Sequence, residues 1–460
     1  MEDAYEQAWA ANLDYRLHRA PEPGPSPLPP SAFDAETAPE DALFDREEWY
    51  DDELDWPRPR ADAPEPPVNG PTNHSRRRFL RWSMTATPFI AAAPLLGRSH
   101  FGASPANAQA ESPEATDISD DAIADASLPA PRLPTPSPED LQEWDVFKQR
   151  FLMPDGRVID TGNHGISHSE GQGWGLLFAA GFADPASFDR ILGWTLSTLR
   201  RPNDRLLSWR YDPTAANPVA DSNNASDGDI FTAAALWRAA QAWRHKQHAA
   251  LARRMARDIA RLLVRQVGAR TILLPAAKGF ETDKTVIANP SYYVFPLLPD
   301  LAAAAPSPVW QRLQQAGLAL LSDGRFGHWM LPPDWLQIDR KDGSLHPAPA
   351  WPPRFSYDAI RVPLYLAWAG LQSSPAERSF VEYWSAMQPA PPAWIDLSTG
   401  VKAEYPAPPA MIAVANLALS SLDRRNAPHF PLIKHAPDYY SSALILLTRL
   451  AWRETATDAD

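Results

Sequence analysis

Three short segments of this 460-residue chain place carboxylates among glycines, small hydroxyls and aromatic rings. They are His168-Ser169-Glu170-Gly171-Gln172-Gly173-Trp174-Gly175, Ala225-Ser226-Asp227-Gly228-Asp229 and Phe355-Ser356-Tyr357-Asp358-Ala359-Ile360-Arg361. Glycine lets a ligand approach the backbone closely, and aromatic rings offer flat faces to a sugar. Paired carboxylates are the usual machinery for cleaving a glycosidic bond. The three segments together therefore point to a hydrolytic reaction on a carbohydrate.

The carboxylates of the first and third segments each have a catalytic and a structural interpretation. Glu170 precedes an apolar helix that we expect to begin near Trp174, and partial desolvation there would raise its pKa, as a general acid requires. It could equally be a helix N-terminal glutamate stabilised by the macrodipole. Asp358 is followed by Arg361, which can pair with it and keep it ionised, as a general base requires. The alternative is a salt bridge in an ordinary capped helix.

The second segment opens the most apolar helical stretch of the chain, residues 227–243, which we expect to be buried. Ser226 or Asp227 could cap this helix. A capping role would not exclude contact with a substrate, because Asp227 would also project toward whatever lies at the helix mouth. Its neighbour Asp229 is a second candidate for that contact.

Tryptophan is abundant, with 18 residues in the chain. The apolar surroundings of three of them predict core positions, and these are Trp194, Trp237 and Trp243. Three others stand in polar, turn-rich sequence and are candidates for stacking on sugar rings, namely Trp209, Trp329 and Trp335.

Composition excludes several classes of function. The absence of cysteine rules out disulfides, thiolate metal sites and a cysteine nucleophile. The 11 histidines show no paired metal-ligand spacing, and no credible phosphate-binding loop or nucleophile elbow is present, so we predict no metal and no cofactor. The net charge of −13 arises in residues 1–74, which hold 18 acidic residues, 5 arginines and no lysine. The remainder is balanced and has no basic stripe, which argues against a nucleic-acid partner.

The first 138 residues predict three successive non-catalytic segments. Residues 1–74 are acidic and contain 13 prolines, a composition typical of disorder. Residues 75–110 combine a twin-arginine-like Arg77-Arg78-Phe79-Leu80, a short apolar stretch and Ala108-Gln109-Ala110, which resembles a cleaved export signal. The apolar stretch is too short to be a stable membrane span. Residues 111–138 are predicted to be a linker, and residues 139–455 the folded domain.

One hypothesis for the acidic prefix is that translation begins at a non-methionine codon such as that of Val68, since no methionine lies between Met1 and Met84. The intact mass of the unprocessed precursor tests this hypothesis, and a mass that matches a start at Met1 would refute it.

The folded domain reads as mostly helical. Asp184 and Pro185 predict the N-cap and first turn of a helix through Leu199. An amphipathic helix is predicted over 251–263, with Gly268 as its stop. Further helices are expected around 307–322, 358–370, 375–387, 409–421 and 437–453. Buried helices that alternate with amphipathic ones predict an all-α fold of two concentric layers. Residues 325–356 differ, and predict a small β-hairpin-like excursion around the turn Lys341-Asp342-Gly343.

Taken together and in this order, the three carboxylate segments resemble the landmarks of glycoside hydrolase family 8, over about residues 141–453. Three further phrases are similar to the bacterial cellulases of that family that are associated with cellulose synthesis. They are Val158-Ile159-Asp160-Thr161-Gly162-Asn163, Leu331-Pro332-Pro333-Asp334-Trp335-Leu336 and His435-Ala436-Pro437-Asp438-Tyr439-Tyr440. The resemblance implies an (α/α)6 barrel and an inverting endo-β-1,4-glucanase.

The resemblance also implies a role for individual residues. Glu170 matches the general acid and Asp358 the base that activates water, while Asp227 matches the carboxylate that holds the sugar at the cleavage subsite. The residues expected to bind substrate are Tyr292, with Tyr293 as a competing candidate, Arg361, Trp209, Asp229 and Trp174, which stands where the family commonly has tyrosine. Inversion requires the two catalytic carboxyls to be roughly 6.5–9.5 Å apart.

The expected substrate and partners follow from the same resemblance. They are a β-1,4-glucan and the cellulose synthase machinery, met after export to the periplasm or the medium. Two alternatives stay open, a xylanase or chitosanase of the same fold and a non-catalytic glucan-binding component. A protein that only binds glucan would not need both an acid and a base.

Overall fold

The structure is a computed structural model that describes residues 135–371, 374–388, 390–421 and 428–456. The predicted acidic prefix, the export signal and most of the linker lie outside these residues. The first described helix, α1 (Pro138–Phe151), begins where Ser137 and Asp140 form a reciprocal capping box. No helix within the described ranges is long and apolar enough to cross a membrane.

Eleven α-helices make up about half of the described chain. After α1 they are α2 (Ser169–Gly181), α3 (Pro185–Leu199), α4 (Ser226–Trp243), α5 (Lys246–Leu263), α6 (Leu298–Ala304), α7 (Pro308–Asp323), α8 (Arg361–Trp368), α9 (Pro375–Met387), α10 (Pro409–Ser421) and α11 (Tyr439–Ala456). Short 3-10 helices lie at Pro290–Tyr292, Phe295–Leu297 and Ile433–His435. The predicted all-α class is confirmed.

The helices form the two concentric layers of an (α/α)6 barrel. Helices α2, α4, α8, α10 and α11 are buried around most of their circumference, whereas α3, α5, α7 and α9 each bury one face. Among the buried helices, α2 packs against α4, α4 against α6, α8 against α10, α10 against α11, and α11 against α2. This alternation of fully and half-buried helices along the chain is the pattern expected from the sequence.

One buried ion cluster ties four helices of the inner layer together. The Arg238 guanidinium in α4 donates to Asp300 of α6 at 2.7 Å and to Glu454 of α11 at 3.0 Å. The Trp368 indole of α8 donates to the same glutamate at 2.8 Å. Arg238 lies three helical turns beyond Asp227, so this cluster fastens the barrel far from the carboxylate segments.

Within the described residues, nine short strands form four small antiparallel sheets. They are β1 (Ser167–His168), β2 (Arg210–Tyr211), β3 (Val264–Val267), β4 (Arg270–Leu273), β5 (Thr285–Ala288), β6 (Leu336–Asp339), β7 (Leu345–Pro347), β8 (Arg354–Phe355) and β9 (Ile395–Asp396). The predicted hairpin is confirmed as β6 and β7, with β5 paired to the other edge of β6. The turn between them uses Gly343 at φ +73°, a conformation that favours glycine.

Several predicted helix boundaries are confirmed and others are wrong. Helix α3 begins after its Asp184 cap as expected. Gly268 does not stop α5, because that helix ends at Leu263 and the chain continues into the β3–β4 hairpin, whose turn holds Gly268 at φ +57°. The helix expected from 358 begins only at Arg361, since residues 356–360 form a looser turn.

Helix α9 carries a buried carboxylic acid whose side chain has no hydrogen-bond partner among the described residues. Glu377 has no accessible surface, and neither side-chain oxygen has a hydrogen-bond partner in the described chain. Burial alone raises its pKa from 4.5 to about 8. Because the folded state holds this proton more tightly than the unfolded state, the folded state loses stability as the pH rises from about 4.5 to about 8.

We therefore expect Glu377→Gln to stabilise the protein relative to the unmodified chain, by a margin that grows between pH 5 and pH 8 and reaches roughly a few kcal/mol. Urea unfolding at a series of pH values measures the margin. Glu382→Gln is the matched control, because Glu382 is exposed on the same helix. A margin for Glu377→Gln that does not change with pH would contradict the assignment.

Candidate active site

Glu170 lies in the first turn of α2 and not, as predicted, in a loop before a helix at Trp174. The helix begins at Ser169 because His168 caps it, with imidazole Nδ1 accepting the Gly171 backbone N–H at 2.9 Å. The other ring nitrogen of His168, Nε2, faces the Asp160 carboxylate at 3.6 Å. The cap fixes the start of the helix and with it the direction of the Glu170 side chain.

Two glycines bring the N-terminal ends of α2 and α4 together. A Cβ on Gly228 would lie 2.3 Å from Ser169 Oγ and 2.6 Å from the Ser169 carbonyl carbon. A Cβ on Gly173 would lie 2.7 Å from the Phe231 side chain. The glycines in these segments therefore serve helix-to-helix contact, a role that differs from the substrate access expected from the sequence.

Asp227 precedes Gly228 at the close contact between α2 and α4, and it lies beside Glu170. Its carboxylate lies near enough to raise the pKa of Glu170 through both charge and hydrogen bonding. The capping alternative is wrong, because α4 begins after Ala225 with no side-chain cap. Asp227 Oδ1 accepts only the adjacent Gly228 N–H at 2.8 Å among the described contacts.

Arg361, the first residue of α8, joins the other two carboxylates. Its Nη2 donates to Asp358 Oδ1 at 2.7 Å and to Ser291 Oγ at 2.9 Å, while its Nη1 donates to Glu170 Oε1. The Arg361 side chain is 3% exposed. One buried cation therefore lies between the predicted acid and the predicted base.

Burial is the main cause of the pKa shifts of both Glu170 and Asp358. Burial raises the pKa of Glu170 well above its usual value, the Asp227 and Asp358 charges raise it further, and Arg361 opposes them. Burial also raises the pKa of Asp358, and Arg361 again opposes this. The sequence correctly predicted a desolvated Glu170. It predicted the ionising effect of Arg361 on Asp358, but burial outweighs that effect.

The structure distinguishes the two adjacent tyrosines. The Tyr292 ring centroid lies 6.0 Å from the Arg361 guanidinium and 6.0 Å from the Trp335 ring, which places the tyrosine at the site. Burial and the charges of Asp227, Asp358 and Glu170 raise the pKa of its phenol well above the usual value. The Tyr293 hydroxyl instead accepts the Leu273 backbone N–H at 2.9 Å, and the residue belongs to the core. Tyr292 is therefore the tyrosine at the site.

An aromatic platform lies next to Asp358. Trp335 stacks on Trp351 with ring centroids 4.7 Å apart and an interplanar angle of 14°, and on Phe280 at 5.8 Å. Trp335 and Asn289 border Asp358, and both lower its pKa. The predicted stacking residue Trp335 thus lies at the site.

The other aromatic and acidic candidates occupy different surroundings. The Trp209 indole donates to Asp221 at 2.8 Å, and its carbonyl accepts the Ser169 N–H at 3.0 Å, beside the start of α2. Trp329 packs edge-on against Tyr383 with ring centroids 5.8 Å apart, and Tyr383 in turn packs on Phe355, three residues before Asp358. Trp209 is 8% exposed and Trp335 is 9% exposed, so protein covers most of both rings.

Trp174 and Asp229, both predicted to bind substrate, are enclosed by protein. Trp174 is fully buried and packs against Phe231 and Tyr439. Asp229 is also fully buried, and its two oxygens accept hydrogen bonds from the Leu207 N–H and the Asn224 amide, each at 2.8 Å. Both predictions of substrate contact are corrected, because neither side chain presents a surface to a ligand.

The sequence of this chain matches a known family over most of the described domain. Residues 134–454 match the family Glycosyl hydrolases family 8. The chain belongs to this family. It is therefore a glycoside hydrolase, and its (α/α)6 barrel is the architecture that the family resemblance implied.

Individual relatives of this family 8 hydrolase agree over nearly their full lengths. A "Probable endoglucanase" of Novacetimonas hansenii is 44% identical over 321 residues, which are 69% of this chain and 93% of that protein. An endoglucanase of Cellulomonas uda is 40% identical over 288 residues, 61% of this chain and 79% of that one. The solved endo-beta-1,4-glucanase CMCax of Acetobacter xylinum aligns with a TM-score of 0.66 and 44% identity, covering 69% of this chain and 99% of that chain.

Sequence reasoning missed several residues that hold the family 8 site together. Asn289 caps the 3-10 helix Pro290–Tyr292 and accepts the Ser291 hydroxyl at 2.7 Å, which orients that hydroxyl toward Arg361. The Asn-Pro-Ser order is an N-cap signal that could have located this turn. His168 was inside a recognised segment but had no assigned role. In the part of the chain that the structure describes, no group of three or more histidine or acidic side chains is arranged to hold a metal ion.

The contact between α2 and α4 gives a direct test of how the site is built. We expect Gly228→Ala to reduce activity strongly and to destabilise the fold by about 1–3 kcal/mol, because the added methyl would overlap the Ser169 backbone. Gly193→Ala is the matched control, since its Cβ would meet nothing within 4 Å in α3. Activity assays and urea unfolding measure both. Equal behaviour of the two variants would contradict the packing role.

Proposed function

We propose that this glycoside hydrolase is an endo-β-1,4-glucanase that cleaves β-1,4-glucan with inversion of anomeric configuration. The observation that supports the proposal most is the position of Arg361, which contacts Glu170 on one side and Asp358 on the other. Family membership adds support, as do relatives at 40–44% identity that are named endoglucanases.

Glu170 is the general acid of the proposed mechanism. Its raised pKa favours the protonated form, which can donate a proton to the leaving glycosidic oxygen. Asp227, beside it, holds the sugar at the cleavage subsite through hydroxyl hydrogen bonds. The close contact of α2 and α4 fixes these two side chains relative to each other.

Asp358 is the general base of the proposed mechanism. Arg361 holds its Oδ1, which leaves the other oxygen to take a proton from the attacking water. Tyr292, whose ring centroid lies 6.0 Å from the Arg361 guanidinium, can orient that water through its phenol. Because Asp358 works as a carboxylate, its raised pKa predicts that activity falls on the acidic side at a higher pH than for an ordinary aspartate.

The identity of the polysaccharide is inferred from relatives of this chain. The 44% identical Acetobacter xylinum enzyme is titled an endo-beta-1,4-glucanase, which favours a β-1,4-glucan here. Xylan or chitosan would fit the same barrel with different subsite contacts. A glucan-binding protein without activity is disfavoured, because the buried acid, base and bridging Arg361 would have no use in it.

The experiment that tests the proposal follows the anomers released from cellohexaose by residues 111–460, using proton NMR over the first minutes. We expect early α-anomer, which would establish β-1,4-glucan cleavage with inversion. Early β-anomer would overturn the single-displacement mechanism. A folded sample that leaves cellohexaose intact would overturn the substrate, and xylohexaose and chitosan hexamers would be tried next.

Two substitutions separate the acid from the base. We expect Asp358→Asn and Glu170→Gln each to lower kcat on cellohexaose by about 10²–10⁴-fold. On a cellotrioside with a dinitrophenolate leaving group, which departs without a proton, Glu170→Gln recovers most of its rate and Asp358→Asn does not. Asp342→Asn, in the exposed β6–β7 turn, serves as the control. Equal recovery by the two site variants would contradict the roles.

We further propose that residues 75–110 direct export through a twin-arginine-type route to the periplasm or medium, and that the enzyme acts beside the cellulose synthase machinery. The motif Arg77-Arg78-Phe79-Leu80 and the site after Ala110 support export. Replacing both Arg77 and Arg78 with lysine is expected to abolish the exported form that begins at Glu111. Unchanged export would contradict the route.

Glu170→Gln in the producing cell tests whether the enzyme acts beside the cellulose synthase machinery. Unaltered cellulose output would contradict that partnership.

A further inference from the structure

The segment that holds Asp358 has little regular structure of its own. Residues 356–360, which we name the base loop, lie between strand β8 and helix α8, and make only single turns of hydrogen bonding, such as Ile360 N–H to the Ser356 carbonyl at 2.9 Å. A general base must be fixed closely for its water to be aligned, because small displacements cost large factors in rate. Something outside the loop has to hold it.

The buried carboxylate of Asp334 contacts the base loop on both sides of Asp358. Its Oδ1 accepts the backbone N–H of Ser356 at 3.0 Å and of Ala359 at 2.8 Å, and its Oδ2 pairs with the Ser356 hydroxyl. Asp334 is 6% exposed. Three hydrogen bonds from one side chain therefore bracket the base.

Asp334 is itself held in place by the sheet next to the base loop. Its own N–H donates to the Arg354 carbonyl at 2.7 Å, and two residues later the chain enters strand β6 at Leu336. The residue between them is Trp335, which stacks on Trp351 and borders Asp358. Asp334, which contacts the base loop, and Trp335 of the aromatic platform are thus adjacent residues of one segment.

We propose that Asp334 is a positioning residue for the proposed base Asp358, clamping the base loop while leaving the carboxylate of the base itself exposed to water. This inference rests on the proposed function, in which Asp358 is the base. Asp334 is 6% exposed and its carboxylate is bonded to the base loop, so it acts through the residue that it holds.

The clamp is compatible with either protonation state of Asp334. Burial and the neighbouring Asp358 charge raise its pKa to about 7. When Asp334 is ionised, it accepts a hydrogen bond from the Ser356 hydroxyl. When it is protonated, its own O–H donates a hydrogen bond to that hydroxyl, and Oδ1 still accepts both backbone N–H groups. Only the charge beside Asp358 changes. The other charged groups that interact with Asp358 are Arg361, Glu170 and Asp227. The titratable phenols near it are those of Tyr292, Tyr365 and Tyr440, whose raised pKa values keep them uncharged.

Two substitutions separate the clamp from the charge. Asp334→Asn mimics the protonated form, since its amide oxygen can accept both N–H groups and its NH2 can donate to Ser356. Asp334→Ala removes all three hydrogen bonds. On cellohexaose we expect the alanine variant to lose about 10²-fold in kcat with KM nearly unchanged, because a displaced base misaligns the water. The asparagine variant should stay within about threefold of the unmodified enzyme.

The pH profile distinguishes this role from a merely structural one. The charge of the already ionised Asp358 helps to raise the pKa of Asp334 to about 7, so the Asp334 carboxyl is protonated at the pH where Asp358 titrates. Asp334→Asn, which mimics that protonated form, is therefore expected to keep the acidic limb of kcat in place, whereas the displaced base of Asp334→Ala meets different neighbouring charges and shifts the limb. Asp339→Asn is the matched control from the other end of β6, where the carboxylate accepts only the Lys341 N–H among the described contacts, and it should leave both kcat and the limb in place. A large loss of kcat or a shifted limb in Asp334→Asn, or full kcat in Asp334→Ala, would overturn the proposal.

Crystal structures of the two variants keep the inference separate from the proposed function. The Asp358 carboxylate is expected to be displaced in Asp334→Ala and in place in Asp334→Asn, whichever polysaccharide the unmodified enzyme cleaves. An inactive unmodified enzyme would remove the proposed function and leave this structural test standing. Asp358 in place in both variants would overturn the clamp. If the alanine variant does not fold, kcat and the position of the Asp358 carboxylate in the asparagine variant decide alone.

Discussion

The site depends on one buried guanidinium. Arg361 is 3% exposed, and a charge removed from water to that extent is tolerated only when it is paired and hydrogen-bonded. Glu170, Asp358 and Ser291 supply partners for its Nη1 and Nη2 from three separate segments of the chain, while its Nε has no hydrogen-bond partner among the described residues. The same requirement that makes Arg361 stable therefore brings the proposed acid from α2 and the proposed base from before α8 to one cation.

The protonation states follow from that arrangement and from helix packing. Gly173 and Gly228 let α2 and α4 approach so closely that Asp227 lies beside Glu170. Burial and this second carboxylate raise the pKa of Glu170, while Arg361 limits the effect. Burial also raises the pKa of Asp358, whose side chain is more exposed than that of Glu170, but Arg361 and two neighbouring donors favour its ionised form. One cation thus contacts two carboxyls that the proposed mechanism needs in opposite protonation states.

The sequence predicted those parts of the structure that local chemistry determines. The Asp184 cap, the Lys341-Asp342-Gly343 turn and the three carboxylate segments depend on residues a few positions apart. It predicted wrongly for Trp174 and Asp229, because helices that are apolar all round give no periodicity to tell the site-facing side from the core. The Asp334 clamp was missed for another reason. Its partners lie 22 to 25 residues away, and no local pattern marks such a contact.

The most direct test of the central claim is the structure of Glu170→Gln with cellohexaose bound across the cleavage site. The account predicts that residue 170 and the Asp358 carboxyl lie roughly 6.5–9.5 Å apart on opposite faces of the scissile sugar, with a water held by Asp358 and aligned with the anomeric carbon. A separation of about 5 Å, with Asp358 in contact with that carbon and no water between them, would contradict it.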